Sequence, residues 1–145
     1  MQDFPHRYTA TALARTEGEV TLESERLTAL ASAPPAEFGG PGDRWSPETL
    51  LVAALADCFV LGFRAIARAS KLDWLSLRCE VEGTLDRVEH VTQFTGFSVR
   101  ASLQVPAGTD PDRARGLLEK AEKICLISNS LKAQPHLEAK VEIAG

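Results

Sequence analysis

Between Leu75 and Glu82 apolar and polar residues alternate without a break: Leu75, Leu77, Cys79 and Val81 against Ser76, Arg78, Glu80 and Glu82. A period of two puts one set on a buried face and the other in water, which predicts a half-buried β-strand. After a break near Glu89-His90 a second stretch, "TQFTGFSVRASLQV", alternates less regularly. Together they predict two long strands joined as a hairpin. The N-terminal region shows the same period in "HRYTATALA", "EVTLES" and "LTALAS", with a turn at Arg15–Gly18 between the first two. A short antiparallel meander is expected there. The tail "HLEAKVEIA" predicts a last strand.

Two segments break from this rhythm. From Leu50 to Ala67 the residues are apolar on every side of a helix except for Asp57 and Arg64. Ser46-Pro47-Glu48 starts that helix: a hydroxyl acceptor at the N-cap, proline where no amide donor is needed, and a carboxylate at the positive end of the dipole. The length would cross a membrane, but Asp57 and Arg64 would each cost about 2.5–3.5 kcal/mol there. The pattern instead predicts a central helix wrapped by protein on most sides. A second helix starts at Asp110-Pro111, with Ala114, Leu117, Leu118, Ala121 and Cys125 recurring at helical spacing. Cys125 therefore belongs to its buried stripe. Between meander and first helix, Ala33–Trp45 holds three prolines and three glycines and predicts a long loop.

Composition narrows the possibilities. The 145 residues suit one domain, 1–145, able to close a core without staples. Sixteen basic and twenty acidic side chains give a formal charge of −4, and no Lys/Arg cluster forms a phosphate-binding stripe, so nucleic acid is not an expected partner. The start "MQDFPHRYTA" lacks the basic and apolar regions of an export signal, so a cytoplasmic location is expected. Three cysteines without a CxxC do not make a disulfide framework. His6, His90 and His136 are scattered, and no metal or organic cofactor is expected.

Cys79 falls in period with Leu77 and Val81 and reads as a small core residue. Cys58 and Cys125 sit in more informative surroundings. "WSPETLLVAALADCF" resembles a motif of the OsmC/Ohr family (osmotically inducible and organic hydroperoxide resistance proteins), in which a Pro-Glu pair opens the central helix and a cysteine follows ten residues after the glutamate; Glu48 and Cys58 keep that spacing. "AEKICLISNSLKA" resembles the second motif of that family, through Cys125, Ser128, Asn129 and Leu131. "YTATALARTEGEV" resembles its first strand and turn, which puts Arg15 in the position of the peroxidase branch's arginine. Two features depart from the pattern. Asp57 adds a negative charge beside the thiol, and Arg44 in "GDRWSPE" lies closer to the arginine used by the OsmC branch.

The resemblance implies an α+β fold with two central helices packed on curved antiparallel sheets, in an intertwined homodimer. It also implies thiol-dependent reduction of organic hydroperoxides: Cys58 attacks the peroxide and becomes a sulfenic acid, Cys125 condenses with it to a disulfide, and an external dithiol, lipoyl-type or other, reduces that bond. A thiol in an apolar helix needs a cation to ionise, and arginine remains charged when desolvated. Arg15 or Arg44 would serve, oriented by Glu48. Ten helical residues separate Glu48 from Cys58 by roughly 15 Å, so a site using both requires a broken helix or a glutamate from a second chain. Two other readings remain compatible with the architecture. One is a hot-dog thioesterase or dehydratase using Glu48 or Asp57, and the other is a non-catalytic module for an apolar ligand.

Overall fold

The computed structural model describes residues Met1–Gly145. The chain forms two compact units, Met1–Leu50 and Leu51–Gly145. In the first, β1 (Thr11–Leu13), β2 (Val20–Glu23) and β3 (Leu30–Ser32) pair in sequence order, all antiparallel. This is the expected meander, and Gly18 takes a φ of 93° in its first turn. The Pro/Gly-rich loop contains one 3-10 turn, Ala36–Phe38, closed by Gly39 at a φ of 84°. Gly40 lies so close to Pro34 that any Cβ would collide with the Pro34 carbonyl. The loop returns alongside β3, where the Ala33 amide donates to the Trp45 carbonyl at 2.9 Å.

Helix α1 (Pro47–Ala69) starts in this unit and runs into the second. Its N-cap is Ser46, whose hydroxyl accepts from the Thr49 amide at 3.1 Å while the Ser46 amide donates to Thr49 Oγ1 at 2.8 Å. Two otherwise orphaned donors are thereby satisfied.

The second unit is built on β4 (Ser76–Val88) and β5 (Val91–Val105), an antiparallel hairpin turning through Glu89 and His90, both with positive φ. Its register shifts between Thr84 and Leu85, which explains the irregular alternation of the second strand. Helix α2 (Pro111–Ile124) follows, N-capped by the Asp110 side chain, and β6 (His136–Ile143) closes the sheet in the order β4-β5-β6. Here the expectation of antiparallel sheets needs correction. Strand β6 runs parallel to β5, because the intervening helix carries the chain back before it pairs again.

Strand β5 is central, and its inward residues Phe97, Val99, Ala101, Leu103 and Val105 are all buried. They share one core with Leu55, Phe59, Phe63 and Ile66 of α1 and with Ala114, Leu118 and Ala121 of α2. The buried residues of α1 form one stripe, at intervals of three and four, and within the single chain 28% of its most apolar 18-residue stretch is buried.

Phe59 is completely buried in that stripe. Phe59→Ala is expected to destabilise the protein by about 3–5 kcal/mol, by lost transfer energy and the cavity left behind. A lowered urea midpoint at unchanged m-value would show it, whereas a midpoint like that of the parent protein would contradict the packing described.

Candidate active site

Cys58 lies halfway along α1, beside Phe59 on the edge of the buried stripe, and is itself half-buried. Cys125 is the C-cap of α2 and only 2% exposed. Cys58 packs against the core cluster that includes Cys125, near enough to push the Cys125 thiol up. The order of elements brings this about: α1 contributes its stripe, and the end of α2 meets it over one sheet.

The residues after Cys125 fix its surroundings. The chain leaves the helix at Cys125 and enters a 3-10 turn, Ser128–Ser130. Each polar side chain of that turn ties it down. Ser128 Oγ donates to Glu122 Oε1 at 2.6 Å, Asn129 Nδ2 to the Lys123 carbonyl at 3.3 Å, and Ser130 Oγ to the Leu126 carbonyl at 2.7 Å. In that geometry the backbone amides of Ser128 and Ile127 are directed at the Cys125 sulfur. Burial nonetheless dominates and pushes the Cys125 thiol up to about 11, the two amides opposing the shift and the nearby Cys58 thiol adding to it.

Glu122 escaped notice in the sequence, although it lies one helical turn beyond Leu118, on the stripe that carries Cys125. It is 7% exposed, and burial raises its carboxyl above the ordinary range against the hydrogen bond from Ser128. Cys79 is also closer to the chemistry than its strand pattern suggests. Burial pushes its thiol up to about 11, and the neighbouring Cys125 and Glu122 add to that.

The remaining candidates belong to the first unit. Arg15 lies exposed in the turn between β1 and β2 and makes no ion pair. Arg44 pairs with Glu19 at 2.7 Å and Asp43 at 3.3 Å, and it lines a cleft of about 590 Å³ with Gly40 and Pro34. Glu48, in the first turn of α1, has a buried Oε1 with no hydrogen-bond partner. Asp57 is exposed, away from the core. Because α1 is unbroken from Pro47 to Ala69, Glu48 and Cys58 stand roughly 15 Å apart along its axis.

A family model for OsmC-like protein matches residues 40–140, a span that takes in α1, α2 and all three cysteines. The chain belongs to the OsmC-like family. Among its relatives, the uncharacterized protein YmaD of Bacillus subtilis is 30% identical, over 86% of either chain. The organic hydroperoxide resistance protein of Xanthomonas axonopodis pv. citri is also 30% identical, over 85% of this chain and 84% of the relative. A crystal structure of an organic hydroperoxide resistance protein OsmC from Legionella pneumophila superposes with a TM-score of 0.75 at 26% identity, covering 97% of this chain and 99% of that one.

With its thiol pushed up to about 11, Cys125 of this OsmC-like protein is almost wholly protonated at pH 7. Iodoacetamide labelling of the reduced native protein should therefore modify Cys125 slowly at pH 7 and about tenfold faster for each pH unit up to 10. Labelling at pH 7 as fast as that of a free thiol in a short peptide would contradict this environment.

Proposed function

We propose that this protein is a thiol-dependent peroxidase that reduces organic hydroperoxides to alcohols. The observation that carries the reading is that Cys58 packs against the core in which Cys125 is buried, in a chain whose relatives include proteins named for organic hydroperoxide resistance. The Cys58 thiolate attacks one peroxide oxygen, the O–O bond breaks, and the departing alkoxide takes a proton and leaves as the alcohol. Cys58 is left as a sulfenic acid, oxidised by two electrons. Cys125 then attacks that sulfur, the S–O bond breaks, water leaves and a Cys58–Cys125 disulfide forms. An external dithiol, lipoyl-type or other, returns both thiols by exchange. Family membership favours this cycle over a hot-dog hydrolase or a passive binding module.

In this reading the cation beside Cys58 is Arg15, with Arg44 the rival already engaged by Glu19 and Asp43. Glu48 orients the guanidinium, and its unpartnered Oε1 has capacity for that contact. The axial separation on an unbroken α1 speaks against one small site made from Glu48 and Cys58 of the same helix. A homodimer in which Glu48 comes from the other chain resolves this, and the uncovered flank of α1, where Leu61 is 51% exposed, offers the apolar surface for it. Both compact units then act as one domain, and three free thiols suit a reducing compartment such as the cytoplasm.

One equivalent of cumene hydroperoxide, with acid quenching as soon as the peroxide is consumed, should give a Cys58–Cys125 disulfide by peptide mapping. A disulfide joining Cys58 to Cys79, or no disulfide at all, would contradict the cycle.

A further inference from the structure

The Glu122 carboxyl is buried and takes no part in this cycle. The inward stripe of α2 is otherwise apolar: Ala114, Leu118 and Ala121 are fully buried, and Glu122 beside them is 7% exposed. An apolar side chain would fill that position at less cost, because Glu122 Oε2 is buried with no hydrogen-bond partner. Nor is the carboxyl needed to finish the helix. The Cys125 amide donates to the Glu122 carbonyl at 3.3 Å and Asn129 Nδ2 to the Lys123 carbonyl at 3.3 Å, so two of the last carbonyls of α2 have partners without it.

What the carboxyl does hold is Ser128. Glu122 lies three residues before Cys125 and Ser128 three residues after it, so the 2.6 Å bond from Ser128 Oγ to Glu122 Oε1 closes a ring of chain with Cys125 at its middle. Ser128 is 2% exposed, which leaves its hydroxyl little access to water in place of that carboxyl. The backbone bonds of Cys125 run to the same two ends of the turn: its amide donates to the Glu122 carbonyl at 3.3 Å, and its carbonyl accepts from the amide of Asn129, the residue after Ser128, at 3.0 Å. The side-chain bond is shorter than either, and it ties together the two points between which Cys125 is suspended.

We propose that Glu122 is a positioning residue for the resolving thiol: through Ser128 it holds the turn after α2 in the form that presents Cys125 to an oxidised Cys58, and so sets the rate at which the disulfide closes. This rests on the peroxidase reading above. A thiol held in place meets the sulfenic acid as a fixed neighbour, and one on a loosened turn meets it less often. The step concerned is the attack of the Cys125 sulfur on the Cys58 sulfur, in which the S–O bond breaks and hydroxide leaves with the Cys125 proton as water. While that step waits, the sulfenic sulfur is free to attack a second peroxide. The O–O bond of that peroxide breaks, the alcohol leaves, and Cys58 gains an oxygen and loses two more electrons to become a sulfinic acid. The Glu122–Ser128 bond thereby protects Cys58 from irreversible over-oxidation.

Rapid mixing with one equivalent of cumene hydroperoxide, followed by dimedone at increasing delays, separates the two steps. In Glu122→Ala and in Ser128→Ala the alcohol should appear at the parent rate, while dimedone-reactive Cys58 should disappear about tenfold more slowly or worse. Excess peroxide should then convert Cys58 to the sulfinic acid at concentrations the parent protein survives. The double variant should close no more slowly than the slower single one, because either removal already breaks the bond. Glu122→Gln, which can still accept from Ser128 Oγ, should close faster than Glu122→Ala. Closing at the parent rate in Ser128→Ala, or a double variant slowed by the product of the two single effects, would overturn the proposal, since Glu122 would not then act through Ser128. Equal slowing of both steps would mean a general loosening and would overturn it as well. Ser128→Ala, the smaller change, decides the question if Glu122→Ala fails to fold. If peroxide yields no Cys58–Cys125 disulfide in the parent, the peroxidase reading fails instead. Diamide can then form that bond, and the same variants decide whether its closing depends on Glu122 and Ser128.

Discussion

The arrangement of thiols depends on one packing constraint, the seating of two helices on the inward face of β5. Phe97, Val99, Ala101, Leu103 and Val105 present a continuous apolar row, and Leu55, Phe59 and Phe63 of α1 share its core with Leu118 and Ala121 of α2. Full burial of a Leu or Phe side chain is worth about 1.5–3 kcal/mol, so several such residues fix where each helix can lie. Cys58 is adjacent to Phe59 and Cys125 is one turn beyond Ala121. The placing of both cysteines at one core is a by-product of the best-packed part of the chain.

Burial has opposite effects on the two steps of the proposed cycle. It keeps water and small polar oxidants away and favours an apolar peroxide, but it also keeps Cys125 protonated. The amides of Ile127 and Ser128 oppose this, and they are held in place by the side chains of Ser128, Asn129 and Ser130. The Ser-Asn-Ser stretch is therefore a clamp on a backbone conformation, and it needs those side chains because a helix end in an apolar interior has few other partners.

Much of this was legible in the residue pattern. The meander, the hairpin, both helices and the last strand follow from periods of 2 and 3.6, and Ser46 and Asp110 mark the helix starts by their capping chemistry. The parallel pairing of β6 was not legible, because alternation reports which face of a strand is buried and not the direction of its neighbour. An all-round apolar helix such as α1 likewise reads alike whether its second flank meets its own chain or another. Within the site, Cys58 and Cys125 carried motif spacing, whereas Glu122 and Cys79 were read by type alone. A glutamate is expected in water and a strand cysteine in the core, and only the fold shows that Glu122 is buried as well.

The central claim is that Cys125 exists to close on an oxidised Cys58. It is tested most directly by trapping with dimedone, which labels a sulfenic acid but neither a thiol nor a disulfide. In Cys125→Ser, treatment with one equivalent of cumene hydroperoxide should release one equivalent of alcohol and leave Cys58 quantitatively dimedone-labelled, while the parent protein under the same conditions is labelled little. Equal labelling of Cys58 in both proteins would show that Cys125 does not resolve the sulfenic acid, and would contradict the account.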